Sequence, residues 1–202
     1  MTPISRRQAL GVLAATCTLP APTSATVAMR LETVAERLEN PWGLAFLPDG
    51  SMLVTERPGR LRRITPDGKA SMPVEGLPTV WPRGQGGLLD VALARDFATS
   101  RTVFISYAEA RDGGGATTLA RGRLSADLRR LEDVTVLFRQ QPAGRGGVHF
   151  GSRIVPARDG TIFLTLGDRG EREKAQDLGT HYGKVIRIRP DGSVPSDNPF
   201  VG

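Results

Sequence analysis

The sequence predicts an all-β fold assembled from small repeated sheets, a β-propeller. Three observations carry this. Short apolar runs are separated by Asp-Gly and Pro-Gly turns at 49–50, 58–59, 67–68, 159–160 and 191–192, and Asp-Gly between apolar runs is the strongest short-range hairpin signal. Gly (24) and Pro (15) are abundant and only 5% of residues are aromatic, with no long helical periodicity, which favours short strands joined by many turns. A unit of Gly-led strand, Asp-containing turn, apolar strand and Arg-bearing strand also recurs three times. Its turn aspartates, Asp49, Asp96 and Asp159, are spaced by 47 and 63 residues. That is near the ~40–50 residues of a four-stranded blade, with an insertion in the later interval.

The first unit follows a lead-in over 30–39 and opens at Asn40-Pro41-Trp42-Gly43. Strands are predicted over 44–47, 51–56 and 60–64, with a closing turn at Pro66-Asp67-Gly68. The second starts from Gly84-Gln85-Gly86-Gly87, with strands over 88–93, 102–108, 117–124 and 134–138. A turn is expected over 95–101, and a loop at Gly113-Gly114-Gly115. The third begins at His149, with strands over 150–155, 161–166 and, after a long excursion, 183–189. A blade buries its faces only against neighbours, so repetition around an axis is the natural outcome. Propellers close with four to eight blades. The roughly 174 residues after Ala28 hold about three, so the chain is expected to be part of a larger propeller, with further blades C-terminal to Gly202.

The formal net charge is +6. Arg6 and Arg7 are the only charged residues of 1–28, so loss of that segment leaves about +4. The arginines are scattered, without a basic run or an interleaved aromatic series, and nucleic-acid binding finds no support. Residues 1–28 read as a twin-arginine export signal: Ser5-Arg6-Arg7, an apolar run over 10–19, then small residues to Ala28. The run is too short to span a bilayer as a helix. Cleavage near Ala25 or Ala28 is expected, leaving residues 29–202 as an exported partial propeller with no transmembrane segment. Cys17 is the only cysteine and lies inside the signal, and Thr16 before it fits a lipoprotein cleavage box poorly. The mature chain then has no disulfide or thiol chemistry.

The stretch 141–168 carries the chemistry. A Gly-rich approach delivers His149 to a strand mouth, and a charged loop, Gly167-Asp168-Arg169-Gly170, returns to the same end one hairpin later. An imidazole titrates near working pH and suits proton transfer. Asp168 reads by itself as a turn-stabilising aspartate, and His181 as a structural or surface histidine. No His or Cys cluster has zinc spacing and no Gly-rich phosphate loop precedes a helix, so no metal ligand is assigned in this chain and nicotinamide cofactors find no support.

Five stretches, in order, resemble the glucose/sorbosone dehydrogenase family of soluble PQQ-dependent sugar dehydrogenases, and its aldose sugar dehydrogenase branch. They are Asn40-Pro41-Trp42-Gly43-Leu44-Ala45-Phe46-Leu47-Pro48-Asp49-Gly50, Gly84-Gln85-Gly86-Gly87-Leu88-Leu89-Asp90-Val91-Ala92-Leu93, His149-Phe150-Gly151-Ser152-Arg153, Ala175-Gln176-Asp177-Leu178 and Asp197-Asn198-Pro199-Phe200. The resemblance implies a six-bladed propeller with pyrroloquinoline quinone (PQQ) and Ca2+ on its central face. It implies a periplasmic enzyme that oxidises aldoses at C1 to lactones and passes electrons to a quinone or cytochrome. By this likeness His149 is the general base as hydride passes to PQQ, and Gln85 contacts the sugar, its amide able to donate and accept. Val148 stands where soluble glucose dehydrogenases have an acidic residue, which touches sugar preference. The family's cofactor-clamping Arg-Asn pair, calcium ligands and later basic residues lie C-terminal to residue 202. A different class stays open on the residues alone: a non-catalytic extracytoplasmic propeller that binds a carbohydrate or protein on the same face, since fold does not fix function. A lactonase with a metal-held water needs clustered ligands that the sequence does not show.

Overall fold

The computed structural model describes residues 29–200, and the expected export signal and Cys17 lie outside them. Three antiparallel meanders run in chain order. The first is β1 (Pro41–Phe46), β2 (Met52–Glu56) and β3 (Arg60–Ile64). The second is β4 (Leu88–Leu93), β5 (Thr102–Arg111), β6 (Gly114–Leu124) and β7 (Leu131–Arg139). The third is β8 (Gly151–Pro156), β9 (Ile162–Leu166) and β10 (Val185–Ile188). The first strands pack together, β1 on β4 and β4 on β8, so they are the inner strands of three successive propeller blades.

The core lies between blades. Along β5 the side chains alternate as a strand requires: Val103, Ile105 and Tyr107 join Leu53, Leu61, Leu88 and Val91 on the first blade's side. Phe104 joins Leu119, Ile154, Leu164 and Ile188 on the third blade's side. The middle blade is buried on both faces, which is why β5 reads as an almost unbroken apolar run. The faces turned away from it expose Leu44 and Phe46 on the first blade and Val155 and Val185 on the third. Part of the first of these faces is covered by Ala35 and Leu38 of the lead-in, against Met52, Val54 and Ile64.

The repeat extends to individual hydrogen bonds. At the β1–β2 turn Asp49 accepts the N–H and hydroxyl of Ser51, and Arg63 of the third strand donates to both residues. At the β8–β9 turn Asp159, Thr161 and Arg187 repeat the arrangement. Asp96 departs from it. The expected turn over 95–101 contains a short helix, α1 (Phe97–Ser100), because Phe97 is drawn into the core between the first two blades. Asp96 takes the Ser100 hydroxyl at 3.1 Å instead of an arginine.

A second repeat crosses between blades. Each inner strand has an irregularity in its pairing at the same place, between Pro41 and Leu44, Leu88 and Val91, and Gly151 and Ile154. A hydroxyl on the next strand fills each gap: Thr55 accepts Gly43 N–H, Ser106 accepts Asp90 N–H, and Thr165 accepts Arg153 N–H, at 2.8, 3.0 and 3.0 Å. Thr55 then donates to the Leu89 carbonyl of the second blade, and Ser106 to the Ser152 carbonyl of the third, the latter at 2.7 Å. Asp90 strengthens the second joint. It is buried, accepts Ile154 N–H at 2.8 Å and Arg153 Nη1 at 2.9 Å, and burial pushes its carboxyl above the usual range.

The β5–β6 connection is tighter than the expected triple-glycine loop. Pairing runs to Arg111 with Gly114, so Gly114 and Gly115 are strand residues. Trp81 keeps position 115 a glycine: a β-carbon there would lie 2.4 Å from its indole. Among the described residues no helix is long and apolar enough to cross a membrane.

Candidate active site

Three segments meet at one end of the second and third blades: 84–87 before β4, 144–149 before β8, and 167–170 after β9. They surround a small apolar cluster of Leu89, Ala108 and Phe150, with Trp42 and Trp81 against it. The 144–149 segment belongs to no strand, yet the carbonyls of Gly144, Gly146, Gly147 and Val148 are all taken. Gly144 bridges to Gly115. Arg169 donates to the carbonyls of Gly146 and Val148, and Gln85 N–H to that of Gly147 at 2.7 Å. Buried main-chain groups need such partners wherever no ladder supplies them.

His149 emerges from this segment with φ +52°, a left-handed conformation in which His is enriched among non-glycine residues. Its carbonyl turns towards β9 and settles against Gly167, where a β-carbon would stand only 1.7 Å from it. Gly167 is therefore required to be glycine. The His149 ring is half-exposed, and its Nδ1 lies 2.7 Å from Oδ1 of Asp168. The Gly170 N–H, 2.9 Å from the same oxygen, and then His149 itself hold the Asp168 carboxyl below the usual range. An ionised Asp168 can only accept, so Nδ1 is the ring nitrogen that donates, and in the neutral imidazole the lone pair is on Nε2.

Gln85, expected to contact a ligand through either end of its amide, has one end engaged: Oε1 accepts the His149 main-chain N–H at 2.8 Å. Its NH2 is left as a donor only. His149 and Gln85 are thus brought together, and Asp168 joins them. Asp168 was legible as a turn residue, and the Gly170 bond shows that it is one. Its second role follows from the return of 167–170 to the end where His149 sits. Arg169 carried no sequence signal beyond its place in the same loop. His181 lies apart: its Nδ1 accepts Gln141 N–H at 3.0 Å, it packs on Phe138, and burial lowers its pKa.

The site offers one ring nitrogen, one amide donor and an apolar floor. Among the described residues no three His, Cys, Asp or Glu side chains converge as a metal site.

Three bulged, hydroxyl-joined meanders packed through their inner strands are successive blades of a β-propeller, with a His–Asp pair at one end. The comparisons agree: the Glucose / Sorbosone dehydrogenase family model matches residues 38–202, and the chain belongs to that family. It is 43% identical over 197 residues to the aldose sugar dehydrogenase YliI of Escherichia coli K12, covering 96% of this chain and 53% of the relative. The crystal structure of the soluble aldose sugar dehydrogenase of E. coli in its apo-form superposes with a TM-score of 0.82 at 45% identity, over 84% of this chain and 50% of that one. The PQQ-bound aldose sugar dehydrogenase of Streptomyces coelicolor superposes with a TM-score of 0.76 at 32% identity, over 84% and 50%. The chain spans about half the length of these relatives.

Proposed function

We propose that the chain supplies the substrate-side half of a periplasmic, PQQ-dependent aldose dehydrogenase, exported through its twin-arginine signal and passing its electrons to a quinone or cytochrome. The observation that carries the reading is the His149–Asp168 pair, 2.7 Å apart and half-exposed at the blade end. It is supported by the family match and by the PQQ-bound relative. When bound, PQQ supplies the two-electron acceptor for the C1 hydride. The remaining steps belong to residues of this chain. Gln85 donates its NH2 to a sugar hydroxyl while its Oε1 keeps the His149 main chain in place. His149 Nε2 takes the C1 hydroxyl proton as the C1–H bond breaks, which converts the hemiacetal to a lactone. Asp168 stabilises the imidazolium that results and keeps the ring from turning over.

The test is full-length enzyme loaded with PQQ and Ca2+, assayed by aldose-dependent dye reduction beside His149→Ala. Turnover in the wild type, with a loss of roughly 10²–10⁴-fold in the variant and quinone still bound, is the expected result. Unchanged turnover in the variant would remove His149 as base. A folded, quinone-loaded wild type with no turnover on any aldose would favour a binding propeller instead.

A further inference from the structure

Arg169 stands out among the charged groups that the proposed chemistry does not use. It is 3% exposed, and no carboxylate pairs with it among the described residues. Its donors all go to main-chain carbonyls: Nε to Val148 at 2.8 Å, Nη1 to Gly115 at 2.7 Å, and Nη2 to Gly146. The guanidinium lies over the Phe150 ring, 3.6 Å from its centroid, and its backbone is left-handed, φ +58°. A buried, carboxylate-free cation and a left-handed non-glycine backbone are both unfavourable by themselves. They persist where the surroundings over-determine them.

The three carbonyls show what the surroundings are. Gly146 and Val148 belong to the segment that delivers His149, and Gly115 to the adjoining blade, where it also bridges to Gly144. The Arg169 side chain thus grips the main chain just before His149, while its sequence neighbour Asp168 holds the His149 ring. Only a planar fork with donors in several directions reaches three such acceptors at once; a lysine ammonium on a flexible stem does not. The Arg stem also fills the space beside Gly144, where a β-carbon would meet Arg169 Cβ at 2.9 Å.

We infer that Arg169 is a positioning residue for His149, fixing the 144–148 main chain so that the imidazole reaches Asp168 in a single orientation. The inference rests on the reading of His149 as the base, but its test does not depend on that reading. Full-length protein with ring-15N histidine is examined by NMR, His149 being assigned by its loss in His149→Ala. Wild type is expected to show a fixed Nδ1–H tautomer with a protected, downfield Nδ1 proton. Arg169→Gln is expected to lose that proton signal and average the two ring nitrogens, with His181 signals unchanged; Arg169→Lys should restore little. In turnover, kcat should fall about 10–100-fold, the scale of a small misplacement of a reacting group, with KM little changed.

A folded Arg169→Gln that keeps the wild-type His149 ring signals overturns the clamp. Should that variant fail to fold, the wild-type guanidinium decides. Separate, exchange-protected Nε and Nη protons for Arg169 support the clamp, and one rapidly exchanging, averaged set overturns it. If His149→Ala retains activity while Arg169→Gln still frees the ring, the base reading falls and the clamp stands. If His149→Ala is inactive and Arg169→Gln changes neither ring nor kcat, the clamp alone falls.

Discussion

Asp168 Oδ1 accepts at once from the ring of His149 and from the main chain of Gly170, at 2.7 and 2.9 Å. One oxygen therefore both closes the turn after β9 and sets the tautomer of an imidazole two strands away. Asp168→Asn is expected to keep the turn, since the amide oxygen still accepts from Gly170. The same oxygen then still accepts from Nδ1, but a neutral amide no longer stabilises the imidazolium that forms when Nε2 takes a proton. The expected result is a kcat lower by roughly 10²–10⁴-fold, as for loss of a general base, with KM and melting temperature little changed. Steady-state kinetics and thermal melts of the full-length enzyme check this.

Gln85 makes a narrower prediction than a generic sugar contact, because its acceptor is already used. Gln85→Glu keeps an oxygen for the His149 N–H and loses the outward donor, so KM for the sugar should rise about tenfold, on the scale of one hydrogen bond, with a smaller change in kcat. Gln85→Leu removes both and should lower kcat as well. Kinetics of the two variants side by side separate the positioning role from the contact.

Ser106 is fully buried, with one bond accepted from its own blade and one donated to the next. Ser106→Ala leaves the Asp90 N–H and the Ser152 carbonyl without that partner and is expected to destabilise by about 1–3 kcal/mol. Thr55→Val should behave alike at the first joint. Urea titrations provide the measurement, and a change below a few tenths of a kcal/mol would show that the hydroxyls do not join the blades.

The turn motif around Asp159 gives a pH dependence. Thr161, through its hydroxyl and its N–H, and then Arg187 lower the Asp159 pKa to about 2, against about 3.9 in an unfolded chain. A carboxylate depressed on folding stabilises above its unfolded pKa, and that contribution is lost as pH falls through the folded value. Asp159→Asn should therefore melt at a lower temperature than wild type at pH 7, with the gap closing between about pH 4 and pH 2. Thermal melts across that range check the sign. A gap that widens on acidification would contradict the assignment.

The blades were legible in the sequence because their turns are local: Asp49-Gly50 and Asp159-Gly160 sit between apolar runs that can only be half-buried strands. The His149 end was legible because a hairpin returns the chain to where it began. What stayed hidden depends on partners distant in sequence. Thr55, Ser106 and Thr165 look like ordinary strand residues until the pairing irregularity opposite each is seen. Gly114 and Gly115 look like a loop until Trp81 takes the space beside Gly115. Arg169 looks like one more scattered arginine. Its three acceptors lie 21 to 54 positions away along the chain, beyond any local pattern.

The hydroxyl joints between blades bear on how such a protein changes over generations. Thr55 and Ser106 fasten successive blades through their inner strands, and neither joint draws on the outer strands β3, β7 and β10. Drift, insertion or grafting on the rim is then insulated from the His149 end, and new surface properties can be tried there while that end stays in place.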